Sequence, residues 1–421
     1  MKTYAQYKDS GISWIGRIPE HWEMKRVASF FDENKETNKN LVYKKAYQFK
    51  YGSLVPKNEI GDEKEYEETY AKYTVLNKND LVFNGLNLNY DFVSQRVAIC
   101  PAKGIITSAY IAITPRNTID PMFYCWLFKT MDNKKMFHGM GSGIRLTLSY
   151  AELKTQLIPV PPLEEQRSIA AYLDKKTEQL NELVAAKQKQ IELLKEYKQS
   201  HIANAVTKGI NSKAKMKDSG IRWIGNVPEH WECSTLRKHL RFVSDKGHPD
   251  EQLLSVTREQ GVIIRNTESK EENHNVIPTD LSDYKLVKKG QFAINKMKSW
   301  QGSYAVSSYT GIVSPAYYVC DLDFENKDFF SIAIRSKAYV PFFTMYSKGI
   351  RVDQWDLSPI GLKTIPFFIP PKEEQDTIVS FLKKKIESID TQISSIEKQI
   401  ANLNEYKQSL VSDVVTGKVK V

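Results

Sequence analysis

The residues whose types could support catalysis are few in this sequence, and none is in a catalytic spacing. His21 and His230 each precede a tryptophan in the turn Pro19-Glu20-His21-Trp22 and its copy Pro228-Glu229-His230-Trp231. An imidazole acting as a general base needs a partner that orients it and a proton within reach. A packed structural turn is the simpler reading of both positions. The four cysteines, Cys100, Cys125, Cys233 and Cys320, are far apart, so neither a zinc site nor a disulfide framework is expected. No G-x-x-x-x-G-K-S/T loop offers a cradle for ATP. The Pro-Pro pairs at 161–162 and 370–371 are followed by Leu163 and Lys372 rather than an aromatic ring. An Asn/Asp-Pro-Pro-Tyr/Phe amino-methylating site is therefore not expected. The chain reads as a protein without catalysis, cofactor or metal of its own.

What must be positioned becomes clear from a duplication. Lys8 to Glu23 returns as Lys217 to Glu232 with thirteen of sixteen positions identical, at an offset of 209 residues. The same offset joins Pro161-Pro162-Leu163-Glu164-Glu165-Gln166 to Pro370-Pro371-Lys372-Glu373-Glu374-Gln375. It also joins Glu196-Tyr197-Lys198-Gln199-Ser200 to Glu405-Tyr406-Lys407-Gln408-Ser409. Three blocks in one register make the chain a tandem repeat. Between the blocks the halves diverge, with short echoes such as Gly104 to Tyr110 against Gly311 to Tyr317. One fold with two different surfaces is expected.

Each Pro-Pro pair opens a long segment free of Pro and Gly, ending before Gly209 or Gly417. At about 45 residues, each predicts a helix of roughly 65 Å. In the second, Ile386, Ile389, Ile393, Ile396, Ile400, Leu403, Lys407, Leu410 and Val414 alternate spacings of three and four, the seam of a coiled coil. The matching positions of the first are Thr177, Leu180, Val184, Lys187, Ile191, Leu194, Lys198, His201 and Ala205. An antiparallel pairing of the two is expected. Lys187 either sets the register or lifts its ammonium out to water.

The 421 residues carry a net charge of +10. Residues 1–161 hold +5 and residues 210–371 hold +4, whereas 162–209 hold +1 and 372–421 are neutral. The excess lies on the two variable regions, where a phosphate backbone would be bound. No run is long and apolar enough for a membrane span, and the first residues lack the apolar core of a secretion signal. A cytoplasmic protein without a membrane partner is expected.

The doubled Gly16-x-Ile18-Pro19-x-x-Trp22 turn and the doubled Pro-Pro-x-Glu-Glu-Gln helix start resemble the two halves of type I restriction-modification DNA specificity subunits. The stretch Ile294-Asn295-Lys296-Met297-Lys298-Ser299-Trp300-Gln301-Gly302-Ser303 is similar to a recurrent pattern of their target recognition domains. The first half departs from it, reading Asn84-Gly85-Leu86-Asn87-Leu88-Asn89-Tyr90. The resemblance implies an α/β (α+β) fold: two target recognition domains separated and joined by two long helices in an antiparallel coiled coil, with pseudo-twofold repetition. The expected boundaries are 1–160 and 213–369 for the domains, and 161–212 and 370–421 for the spacer helices. It further implies that each domain reads half of a split double-stranded DNA site. Two methyltransferase subunits using S-adenosylmethionine would methylate adenine N6. Two motor-nuclease subunits using ATP and Mg would restrict unmodified DNA.

Asn and Gln suit adenine, Arg suits guanine, and other polar groups hold phosphates. On that basis the candidate DNA-binding residues are Asn84, Asn87, Asn89, Tyr90, Arg96, Ser142 and Arg145 in the first half. In the second they are Asn295, Lys296, Lys298, Trp300, Gln301, Lys348 and Arg351. Asn84 and Asn295 could instead end strands, Trp300 could be core, and Arg145 and Arg351 could pair with carboxylates. Three other readings remain: a specificity subunit of a different multisubunit restriction system, a coiled-coil scaffold that binds proteins rather than DNA, and an enzyme with an unrecognised site.

Overall fold

The computed structural model describes residues 2–57, 63–89, 95–141, 146–267, 277–349 and 355–421. It divides into two compact units. One comprises Met1–Gln188 with Glu397–Val421, and the other Lys189–Ile396. Each unit therefore takes one variable region together with parts of both long helices.

In the first unit a four-stranded antiparallel sheet has the order Phe31–Glu33, Ile111–Pro115, Leu81–Phe83, Val97–Ile99. The central strand Leu81–Phe83 is a short apolar run buried on both faces, as a strand covered on both sides must be. The covering helix, Pro121–Asn133, starts where Asp120 accepts from the Phe123 N–H at 2.9 Å and Pro121 fixes the first turn. Its Tyr124 and Phe128 rings meet Phe31 edge-on, and Phe128 also meets Phe83.

The second unit repeats this order with Leu240–Val243, Tyr318–Leu322, Phe292–Ile294, Tyr304–Val306. Its helix Lys327–Ile334 is capped in the same way by Asn326, which accepts from Phe329 N–H at 2.8 Å. Two smaller ladders flank each sheet. Thr74–Leu76 pairs with Gly104–Ile106, as Lys285–Val287 does with Gly311–Val313. The hairpin Tyr47–Lys50/Ser53–Pro56 matches Leu254–Thr257/Gly261–Ile264.

The blocks repeated in sequence are repeated in structure. Glu23–Arg26 pairs with Leu157–Val160, and 209 residues on Glu232–Thr235 pairs with Pro366–Ile369. Trp22 and Trp231 are fully buried, which makes the Pro-x-His-Trp turn a packed structural element. The two long helices run Leu163–Lys208 and Lys372–Val415. Both end at a glycine in the left-handed region, Gly209 at φ +70° and Gly417 at φ +77°, the usual helix stop.

Every seam position is buried or half-buried. Within the first unit Leu180 shares a core with Leu410, Val411 and Val414. Lys407 donates to Asn181 at 2.8 Å and Lys187 reaches Gln399. Rising numbers on one helix thus meet falling numbers on the other, so the pair is antiparallel. Lys187 lifts its ammonium out of the seam. In the second unit Lys198 bridges Asp390 at 2.7 Å, while Ile202, Ala205 and Val206 pack with Ile378, Val379 and Leu382. Among the described residues no helix is long and apolar enough to cross a membrane.

Candidate nucleic-acid interface

Of the candidate residues, Asn84, Asn87, Asn89 and Arg96 follow the second sheet strand of the first unit in chain order, and Asn295, Lys296, Lys298, Trp300 and Gln301 follow that of the second. The two loops have unlike sequences but are fixed by the same backbone bonds. Asn84 N–H donates to Arg96 O at 2.8 Å, as Asn295 N–H does to Ser303 O at 3.0 Å. Leu148 N–H donates to Gly85 O at 2.9 Å, as Leu357 N–H does to Lys296 O at 3.0 Å. Leu148 and Leu357 are again 209 residues apart. The first loop, which lacks the Lys-Met-x-x-Trp-Gln core, occupies the equivalent place.

In the first unit Asn84 is half-buried, and its side chain accepts from Leu86 N–H at 3.3 Å. Asn87 is exposed, with a left-handed φ of 53°, a conformation that Asn tolerates. Asn89 is half-buried. Leu88 N–H donates to Leu146 O at 3.2 Å, so the loop runs beside the segment that follows Ser142 and Arg145. Tyr90, Ser142 and Arg145 themselves lie outside the described residues.

Arg96 requires a correction. It is 1% exposed, so its guanidinium does not reach a base edge from this position. It points into the loop, where Nη1 donates to Asn84 O at 3.0 Å and to Leu86 O at 2.8 Å. Its backbone N–H donates to Asp132 Oδ2 at 2.6 Å. Burial pushes the Asp132 carboxyl above the usual carboxylate range, against the lowering effect of that hydrogen bond.

In the second unit Asn295 is also interior. It is 7% exposed and its Nδ2 donates to the Tyr317 hydroxyl at 3.0 Å, so it too secures the loop from inside. Lys296 bridges Asp356 at 2.8 Å, and that carboxylate raises the Lys296 ammonium above its ordinary value. Lys298 and Lys348 are exposed. Lys348 lies opposite Asp356 in the short ladder Ser347–Lys348/Asp356–Leu357. Trp300 is half-buried, its ring 5.0 Å from that of Trp355 and its carbonyl held by the Thr344 hydroxyl at 3.0 Å. It is thus partly core and partly surface. Gln301 is half-buried on the same turn. The fold therefore brings Lys296, Trp300 and Lys348 together around Asp356. Arg351 lies outside the described residues.

Sequence reasoning missed Asp132, Thr344, Trp355 and Asp356. Trp355 was the legible one, a tryptophan four residues beyond the candidate Arg351. The exposed cations and amides beside an aromatic pair can hold phosphates and present donors and acceptors to bases. Among the described residues no cluster of His, Cys, Asp or Glu could hold a metal ion.

Residues 19–193 match the family described as the type I restriction modification DNA specificity domain. The chain is 24% identical over 431 aligned residues to a putative type I restriction enzyme MjaX specificity subunit of Methanocaldococcus jannaschii, covering 97% of this chain and 96% of that protein. Its fold is similar to a chain from a structural study of complex assembly and conformational transition in the type I R-M system. That likeness has a TM-score of 0.70 at 14% identity over 96% of this chain and 99% of the other. It is also similar to the HsdS subunit of Thermoanaerobacter tengcongensis, with a TM-score of 0.51 at 14% identity over 96% and 98% of the two chains.

Proposed function

We propose that this chain is a type I restriction-modification specificity subunit and that it reads an asymmetric, bipartite double-stranded DNA site. Each unit reads one half through its loop. The observation that carries the proposal is the pair of loops Asn84 to Arg96 and Asn295 to Ser303. Both hang on the same backbone bonds and differ in the side chains they present. A shared scaffold with unlike surfaces suits two unlike half-sites.

The chain itself does no chemistry in this reading. The repeated turns and helix starts dock two copies of a methyltransferase subunit, which hold S-adenosylmethionine and methylate adenine N6 within the site. Two motor-nuclease subunits, using ATP and Mg, restrict DNA that lacks the mark. The complex works in the cytoplasm, where its DNA is.

The experiment is co-expression with the neighbouring methyltransferase, followed by genome-wide mapping of methyladenine. A split motif with two different halves is the expected result. No such motif, with a partner shown to be competent, would count decisively against DNA reading. A scaffold that binds only proteins would show weak DNA binding that does not change with salt, since phosphate contacts make affinity fall as salt rises.

A further inference from the structure

We infer that Arg96 is the positioning residue of the first reading loop: buried beneath it, the guanidinium sets the direction in which Asn87 faces the DNA and thereby the specificity of one half-site. The inference rests on the reading above.

Three carbonyls of the loop converge on this side chain. Nη1 bonds Asn84 O and Leu86 O at 3.0 and 2.8 Å, and Nη2 lies 3.5 Å from Asn87 O. The arginine is itself anchored at both backbone ends. Its N–H donates to Asp132 at the end of the helix Pro121–Asn133, and its carbonyl accepts from Asn84 N–H.

A trans peptide is planar, with its C=O and N–H pointing in opposite directions. Turning the Leu86 carbonyl inward onto Arg96 therefore turns the Asn87 N–H away from it. The left-handed φ of Asn87 completes the reversal and leaves the residue exposed. Asparagine is suited to pair bidentately with adenine, and that pairing tolerates little misplacement.

The second loop has no such device. Ser303 stands where Arg96 does, accepting from Asn295 N–H. Contacts of Trp300 with Thr344 and Trp355 fix that loop instead. Arginine is required in the first unit because its planar fork spans several acceptors at once, which a single ammonium on a flexible stem does not.

The test uses the full chain in complex with its methyltransferase and maps methyladenine for the unmodified protein, Arg96→Lys, Arg96→Met and Asn87→Ala, with thermal unfolding of each complex. Arg96→Lys should assemble, keep the second half-site and the spacer, and lose roughly 10- to 100-fold discrimination at one position of the first half-site, the worth of one bidentate base contact. Asn87→Ala should relax that same position. Arg96→Met should relax it further. An unchanged motif in Arg96→Lys and Arg96→Met overturns the inference, as does relaxation by Asn87→Ala at a different position. Loss of assembly in both arginine variants also overturns it, because Arg96 is then a stability residue. A missing split motif in the unmodified complex is a different failure, that of DNA reading itself.

Discussion

His21 Nε2 stands 2.8 Å from Glu165 Oε2, and 209 residues later His230 Nε2 stands 2.7 Å from Glu374 Oε2. Each pair ties the turn at the start of a repeat to the first turn of a long helix. The first pair has an addition, since the Tyr4 hydroxyl also bonds Glu165. Both histidines are about half exposed, and exposed ion pairs contribute little, about 0–1 kcal/mol. Glu374→Gln should therefore lower unfolding stability by less than about 1 kcal/mol. Glu165→Gln should cost more than Glu374→Gln because it disturbs two contacts. Urea unfolding of the two variants compares them directly, and equal losses would show that Tyr4 adds nothing.

Gly417 and Gly209 end the two helices in the same conformation, each beside its repeat's Pro-Trp turn, but Gly417 is packed closer to Pro19 and Trp22 than Gly209 is to Pro228 and Trp231. A Cβ on Gly417 would land on the Pro19 ring and against Trp22, both rigid and packed. On Gly209 it would meet the Glu374 carboxylate at 2.8 Å, which can swing away. Gly209→Ala should cost about 1–2 kcal/mol, the strain of a left-handed alanine. Gly417→Ala should cost distinctly more, because the clash adds to that strain. The order of the two thermal midpoints checks this, and the reverse order would place the looser packing around Trp22.

Much of this was legible in the sequence because it is local or repeated. The offset of 209 located the repeated turns around Trp22 and Trp231 and the repeated starts of the long helices, and the alternation of three and four located the buried seam. The helix limits followed from Pro-Pro and glycine. The loops were legible as places but not as geometry. Arg96 and Asn295 have the residue types that read bases, yet the fold turns both inward. The partners that hold them, Asp132 and Tyr317, lie 36 and 22 residues further on, and although Tyr317 ends a repeated echo, nothing in the spacing marks either as a partner. The contact of Trp355 with Trp300, their rings tilted and 5.0 Å apart, joins segments that only the fold brings together.

Among the described residues of the second loop region, Lys298 and Lys348 are exposed cations, whereas Lys296 is bound to Asp356. A lysine that meets a phosphate releases about one counterion, so its removal lowers the slope of log affinity against log salt by about 1. Lys298→Ala and Lys348→Ala should each do so, weakening binding evenly across sequences and leaving the motif intact. Lys296→Ala should change the slope less. Binding titrations over a range of salt concentrations measure these slopes, and a changed motif in Lys298→Ala would mark it as a base reader.

Burial holds the Asp132 carboxyl above the usual carboxylate range. The native chain therefore keeps this proton at pH values where the unfolded chain has released it. Stability falls as pH rises from the ordinary carboxylate range to the raised native value, and the whole loss is present above that. Asp132→Asn keeps an acceptor for Arg96 N–H but has no charge to bury. It should flatten part of the decline in stability that begins above the ordinary carboxylate value of about 4. Asp80, also raised by burial, retains its own share. Urea midpoints across this range test the sign, and a steeper decline in the variant would refute it.

On the proposed reading, the two long helices act as a ruler for the spacer between half-sites. The seam from Ile386 to Val414 extends about 43 Å at 1.5 Å per residue, and one turn of B-DNA is about 34–36 Å. Four residues inserted into both helices add about 6 Å and rotate each helix by little more than one turn, so the apolar faces still meet. The paired insertions belong beside Lys187 and Gln399, which face each other across the antiparallel pair. The preferred spacer should lengthen by one or two base pairs, with both half-sites unchanged. An insertion in one helix alone should break the seam and lower stability instead. Methyladenine mapping reads the spacer directly. A paired insertion that folds and leaves the spacer unchanged would mean that the helices join the domains without measuring the distance between them.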